Sequence, residues 1–439
     1  MKLHNSLLAL LLSATFLVPG DKPALAQTSP TAVSIAGVWQ GHATICGGAS
    51  LPVAIRISGP QANLKFALLN GPADRPVQSP ASSVAFDGAH LTASFDYYAR
   101  KIVATLENGK LTGTFIKGGL CDSGREDAPF TLARVSKPAE PSSAPNPPDI
   151  AGAWEIATKS DKGENAWTLR VSPPAGKSPL IQAVIQRIDG DTGALWGTWN
   201  GTSYTVGHFA AANTMLYSLT PQRNGTLLVK SLLGGVSAKE MTARRPEQAR
   251  KENLPGVTDP TQQTTIKDPS IPFAFSFPDL TGKIVSNTDS QFQGKVVIVT
   301  IGGSWCPNCH DEAPFLVDLY KTYHAKGLEI VELDFETQGD ESTENARLRT
   351  FIARYAIPYP VLFAGPTEEV EQKIPQAVNL NSWPTSFFLG RDGRVREIHA
   401  GFASEANAAD HAELVRSVTA LIEKLLAEAA PAQSASLNP

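Results

Sequence analysis

Four cysteines in 439 residues are too few for a disulfide-stapled scaffold or a multi-cysteine zinc fold. Outside Met1 there are only two methionines, Met215 and Met241, both in segments that read as β, so a methionine axial ligand for haem has no helical setting. Charge of either sign is not in excess. Net charge is −4 and pI about 6.1, which argues against nucleic acid or an anionic membrane surface as partner. One long apolar run exists, Leu7–Val18, shorter than the roughly 20 residues needed to span a bilayer. No other segment reads as membrane-spanning. The chain is too long for one core, so two to three domains are expected.

The apolar run follows Met1-Lys2 and precedes Ala24-Leu25-Ala26. A basic start, an apolar stretch and a small-x-small site predict a signal peptide over 1–26, cleaved after Ala26, and a periplasmic or secreted mature protein. An uncleaved anchor is the alternative. In an oxidising compartment Cys46 and Cys121 are expected to pair as a structural disulfide. Closing some 75 residues, it would stabilise by about 4 kcal/mol on the chain-entropy reading. A second redox pair is the competing reading, but neither cysteine has a strand-to-helix setting.

Trp305-Cys306-Pro307-Asn308-Cys309 carries the most chemistry. The β-branched run Lys295–Ile301 precedes it and reads as a buried strand. Phe315, Leu316, Leu319 and Tyr323 mark a following helix. Two cysteines at that junction form a thioredoxin-like redox motif, and a helix N-terminus favours the attacking thiolate. His310 extends the motif to Cys-x-x-Cys-His, the attachment signature of c-type haem. The preceding strand and glycines favour the redox turn. No second pair of ligands lies at zinc spacing, so no metal or other cofactor is expected.

Two linkers divide the chain: a Pro-rich one over 137–149 and a second over 246–272. The first two domains, 33–136 and 150–245, read as relatives. Ile35-Ala-Gly-Val-Trp39 recurs 115 residues on as Ile150-Ala-Gly-Ala-Trp154. Short alternating strands with frequent turns predict an antiparallel barrel or sandwich for each. The third domain, 273–430, alternates strands and helices, an α/β plan.

At this point the sequence resembles a known family. Phe277–Lys283, Gly294-Lys295, Trp305–Pro314, Trp383-Pro384-Thr385 and the Gly393 hairpin are similar to TlpA-type thiol-disulfide oxidoreductases of the thioredoxin superfamily. The resemblance covers about a third of the chain. It implies a multidomain protein whose C-terminal thioredoxin-like fold follows two all-β barrel or sandwich domains. It further implies that Cys306 is the exposed nucleophile and Cys309 the resolving cysteine. Pro384 matches the family's cis-proline, presenting Trp383 to a bound strand, and Pro314 its helix kink. Glu312, three residues after Cys309, matches an acidic residue beside the buried thiol, able to move its proton; a solvated helix residue is the plainer alternative. Trp305, Pro307, Trp383 and Thr385 are the expected substrate contacts. His310 would add positive charge near Cys306 or stay exposed. The implied partners are disulfide-containing exported proteins and a membrane electron-donor reductase, with no nucleic acid or metal. Two other classes compete. A peroxiredoxin-like thiol peroxidase would place Pro-x-x-x-Thr-x-x-Cys here, and Ile301-Gly-Gly-Ser-Trp lacks the proline and threonine. A binding protein would put the main function in the β domains.

Overall fold

The computed structural model describes residues 34–121, 124–233, 240–337 and 341–429. The predicted signal segment, with Leu7–Val18 and Ala26, lies outside them.

Alternation of apolar and polar residues builds the first sheet. In Ala49–Ser58, Leu51, Val53, Ile55 and Ile57 all turn inward. Nine antiparallel strands run back and forth, and Gly37–Ile45 near the start pairs with Gly124–Val135 at the end. The sheet stays open between Val77–Pro80 and Ser83–Phe86. In that gap Ala81 and Ser82 donate N–H groups to Phe66 and Ser94. The Cys46–Cys121 disulfide ties the ends of Gly37–Ile45 and Lys110–Cys121 together.

The second sheet, from Gly152–Ala157 to Glu240–Arg244, closes: Ala166–Ser172 pairs with both Gly152–Ala157 and Ile181–Arg187. It is an up-and-down antiparallel barrel. The repeated Ile-Ala-Gly-x-Trp has the same structure in both domains. Trp39 donates its indole N–H to Ile35 O at 3.0 Å, and Trp154 donates to Ile150 O at 2.9 Å. Each buried ring is also covered by a guanidinium, Arg134 or Arg245.

The two β domains share a core, because Phe209, Ala211, Leu216 and Leu233 of the second pack into the cluster of Trp39, Phe95 and Phe115. The Pro-rich segment is laced to both: Gln40 exchanges two hydrogen bonds with Ala139, and Thr198 donates to Ser142 O.

The stretch read as a second linker is partly structured. Pro246–Lys251 and Pro260–Gln263 are short helices with proline in the first turn, and Asp259 caps the second by accepting from Thr261 N–H. Both are too short to show apolar periodicity in the sequence.

The C-terminal region is an α/β layer structure. Its sheet runs Val361–Pro366, Leu328–Glu336, Val296–Gly302, Thr385–Leu389, Val395–Ala400 in spatial order. The first three strands are parallel and the last two antiparallel. Helices Pro307–Tyr323, Glu341–Tyr355 and Ala408–Ala427 complete it. The central strand Val296–Gly302 is buried along its whole length, so it reads as an unbroken apolar run.

Candidate active site

The central strand ends at Gly302 and the redox helix starts at Pro307, with Cys306 as its N-cap. Proline at the first helical position lacks the N–H that would go unpaired there. The Cys309 N–H points back to Cys306 Sγ at 3.4 Å, and Cys306 Sγ donates to Trp383 O at 3.5 Å. The Trp383–Pro384 peptide is cis. Trp305 donates its indole N–H to Phe335 O at 2.9 Å and meets the Trp383 ring edge-on at 5.8 Å. Two tryptophans therefore flank the first cysteine. Thr385, expected to contact substrate, is fully buried and donates its hydroxyl to Ser382 O at 2.7 Å. It braces the loop before Pro384 and does not face the site.

Cys309 is buried behind Cys306. Burial first, then hydrogen bonding and charge at Cys306 and the charge of Glu312, pushes its thiol well above the usual range. Such a thiol needs a base to become a nucleophile. Glu312 is buried one turn on, accepting from Thr300 Oγ1 and Ser386 Oγ, both at 2.9 Å. Desolvation raises its carboxyl to about 7, against the lowering effect of the two hydroxyls. It is not a solvated helix residue.

A second carboxylate borders the same space. Glu332 Oε1 and Cys309 Sγ both lie within 3.6 Å of the point where a Cβ on Gly302 would stand. Gly302 leaves that space free. Glu332 belongs to Leu328–Glu336, whose period of two places Glu332, Asp334 and Glu336 on one face with Leu328 and Ile330. Burial, then the charges of Glu312 and Glu336, raises Glu332 to about 8. Asp334 is buried with both carboxylate oxygens unpaired, and burial pushes its carboxyl well up too. Glu336 accepts from Ser304 N–H at 2.8 Å and pairs with Arg347, whose Nε donates to Ser304 Oγ at 2.8 Å. Arg347 offsets the charge at Glu336 and Asp334, while burial favours the protonated forms of Glu312, Glu332 and Asp334.

His310 differs from the sequence expectation. It is buried, and its Nε2 lies 2.9 Å from Ser304 O, which can only accept. Nδ1 therefore takes the hydroxyl proton of Tyr355, also at 2.9 Å. Burial lowers its pKa to about 3, so the ring is neutral and adds no positive charge beside Cys306.

Cys306 also departs from expectation: it is 2% exposed. Both β domains reach over it. From the first, Tyr97 and Tyr98 pack on His310 with ring centroids at 5.8 and 4.4 Å, and Arg354 stacks on Tyr97. From the second, Asp189 O accepts from Asn308 Nδ2 at 2.8 Å, and Asp191 accepts from Ser404 N–H and Oγ at 2.7 and 2.9 Å. The space left is a cavity of about 660 Å³ onto which Trp305, Cys306, Pro307 and Trp383 open.

A dithiol at a strand-to-helix turn, backed by buried carboxylates and faced by a cis-proline loop, defines a thioredoxin-superfamily dithiol site. Sequence comparison with known proteins agrees. Residues 270–398 match the AhpC/TSA family. Thiol-disulfide oxidoreductase ResA of Bacillus thuringiensis (strain Al Hakam) is 33% identical over 123 residues, 28% of this chain and 64% of that protein. The ResA of Geobacillus thermodenitrificans is 24% identical over 36% of this chain and 82% of its own length. A crystal structure of a thiol:disulfide interchange protein DsbE from Chlorobium tepidum aligns at 26% identity over 34% of this chain and 93% of that one, with a TM-score of 0.27. In sequence the C-terminal region is similar to thiol-disulfide oxidoreductases of the TlpA-like kind in the thioredoxin superfamily. The chain spans about 64% of the length of the Bacillus relatives it matches, and the β domains lie outside the matched region.

Proposed function

We propose that this chain is an exported dithiol–disulfide oxidoreductase that reduces disulfides through Cys306 and Cys309. Cys306 Sγ attacks a substrate disulfide, forming a mixed disulfide and releasing one thiolate. Cys309 gives its proton to Glu312, attacks Cys306 Sγ, and releases the second thiolate as the Cys306–Cys309 disulfide closes. Trp305, Pro307 and Trp383 border the substrate space, and Pro384 and Thr385 hold Trp383 in place. Export rests on the sequence of residues 1–26. The electron source on this reading is a membrane-bound dithiol donor, an extension of the family resemblance. The observation that carries the proposal is the placement of Cys306 Sγ on the cavity, aligned by the Cys309 N–H, in front of a buried thiol with Glu312 one helical turn on. A peroxidase reading is not favoured, because the turn before Cys306 lacks the threonine and proline that chemistry uses.

The test is a trapping experiment. Cys309→Ser leaves Cys306 without a resolving thiol, so it should accumulate a mixed disulfide with substrate. Cys306→Ser should accumulate none. Absence of any adduct in the first variant on exposure to excess disulfide would overturn the proposal.

A further inference from the structure

The faces that a protein substrate would use around Cys306 are already occupied. Asn308 and the segment Gly401–Ser404 are held by the turn Asp189–Asp191, and Gly190 forms a parallel bridge to Phe402. Tyr98 covers the His310 side. A stable protein–protein contact takes about 800 Å² from each partner. The remaining cavity, about 660 Å³, instead falls in the range of small-molecule sites, roughly 300–1,000 Å³.

Its lining carries charge of both signs. Lys162 and Arg187 lie 2.9 and 3.7 Å from Asp189, Arg354 stands over Tyr97, and Asp191 and Asp311 add carboxyl groups. We propose that the β domains convert the dithiol site into a partly enclosed chamber for low-molecular-weight disulfides of amino-acid type, carrying both ammonium and carboxylate groups. Tyr97, Tyr98 and the Asp189–Asp191 turn set this specificity. The proposal rests on the dithiol reading above and replaces exported proteins as the substrate class. Enclosure also raises Asp311 to about 8, through desolvation and the charges of Asp191 and Glu405, so its carboxyl offers a proton to a departing thiolate.

The reaction balances as R–S–S–R plus two cysteine thiols giving two R–SH and one Cys306–Cys309 disulfide. The substrate S–S bond breaks, the protein S–S bond forms, and both cysteine protons end on the released thiols. An external dithiol restores the pair.

The test uses the full chain, reduced with dithiothreitol and freed of it. Single-turnover oxidation is followed by tryptophan fluorescence with glutathione disulfide, hydroxyethyl disulfide or insulin. Each rate is divided by that of free dithiothreitol with the same disulfide. The chamber predicts glutathione disulfide at least tenfold faster than either of the others. A second arm opens the chamber with Gly190→Leu, whose Cβ would run into the Asn308 side chain and the Phe402 carbonyl. Oxidation of the chain by insulin should then rise at least tenfold. If that variant fails to fold by circular dichroism, Tyr98→Ala and the unaltered chain decide the same question. Insulin as fast as glutathione disulfide in the unaltered chain overturns the chamber, and hydroxyethyl disulfide as fast overturns the amino-acid class. If no disulfide oxidises the pair, the dithiol reading falls as well.

Discussion

Glu332 offers a quantitative test of the buried carboxyl row. A carboxyl raised from the usual 4.5 to about 8 binds its proton more tightly in the folded than in the unfolded chain. Between those values the folded state carries more protons, so stability falls as pH rises. The contribution is fully present below the unfolded pKa and gone above the folded one. At about 1.4 kcal/mol per unit the ceiling is about 5 kcal/mol. Charge coupling to Glu312 and Glu336 divides that cost among the row, so a loss of about 2–3 kcal/mol is expected from Glu332 itself. Glu332→Gln keeps the shape and removes the ionisation. In guanidinium titrations of the reduced chain, wild type and variant should have similar midpoints at pH 4.5. At pH 8.5 the variant should be the more stable by that amount. An identical pH dependence in the two proteins would mean that Glu332 ionises freely in the fold, and the row would not be the proton store described.

Two other consequences are open to measurement. Glu312→Gln should slow the resolving step most near and above pH 7, where wild-type Glu312 is ionised, and the deficit should shrink at high pH as Cys309 ionises unaided; a parallel pH–rate profile would remove Glu312 from the proton path. Trp39→Phe and Trp154→Phe should each cost about 1–2 kcal/mol in chemical denaturation, because each removes an equivalent indole-to-carbonyl bond and weakens a guanidinium contact; a large cost at one site alone would break the structural equivalence of the repeat.

The readable parts of this chain were those whose physics is local. A β-branched run, a Cys-x-x-Cys pair and a helical stripe follow one another within 30 residues, so their junction shows in the sequence. The spacing of Glu312 from Cys309 is one helical turn, which needs no tertiary information. The repeated Ile-Ala-Gly-x-Trp encodes a bond between residues four apart. What did not show depends on distant segments. Cys306 is covered by Tyr98 and Asp189, each more than 100 residues away in the chain, and nothing near the motif signals the cover. His310 loses its charge because Tyr355 and the first β domain enclose it. Glu332 lies between: the alternation Leu328, Ile330, Glu332, Asp334, Glu336 was visible, but its position with Cys309 beside the gap at Gly302 appears only when the strands are paired.

The central claim is that Cys306 and Cys309 exchange two electrons as a pair. Equilibrating the full chain in glutathione buffers of graded ratio, then quenching with acid and counting free thiols on the redox-helix peptide by mass, tests it most directly. The account predicts a single two-electron transition between dithiol and intramolecular disulfide, with a potential below about −200 mV, the range of reducing carriers. A pair that never closes, or that gives only glutathione adducts on Cys306 at every ratio, would contradict it.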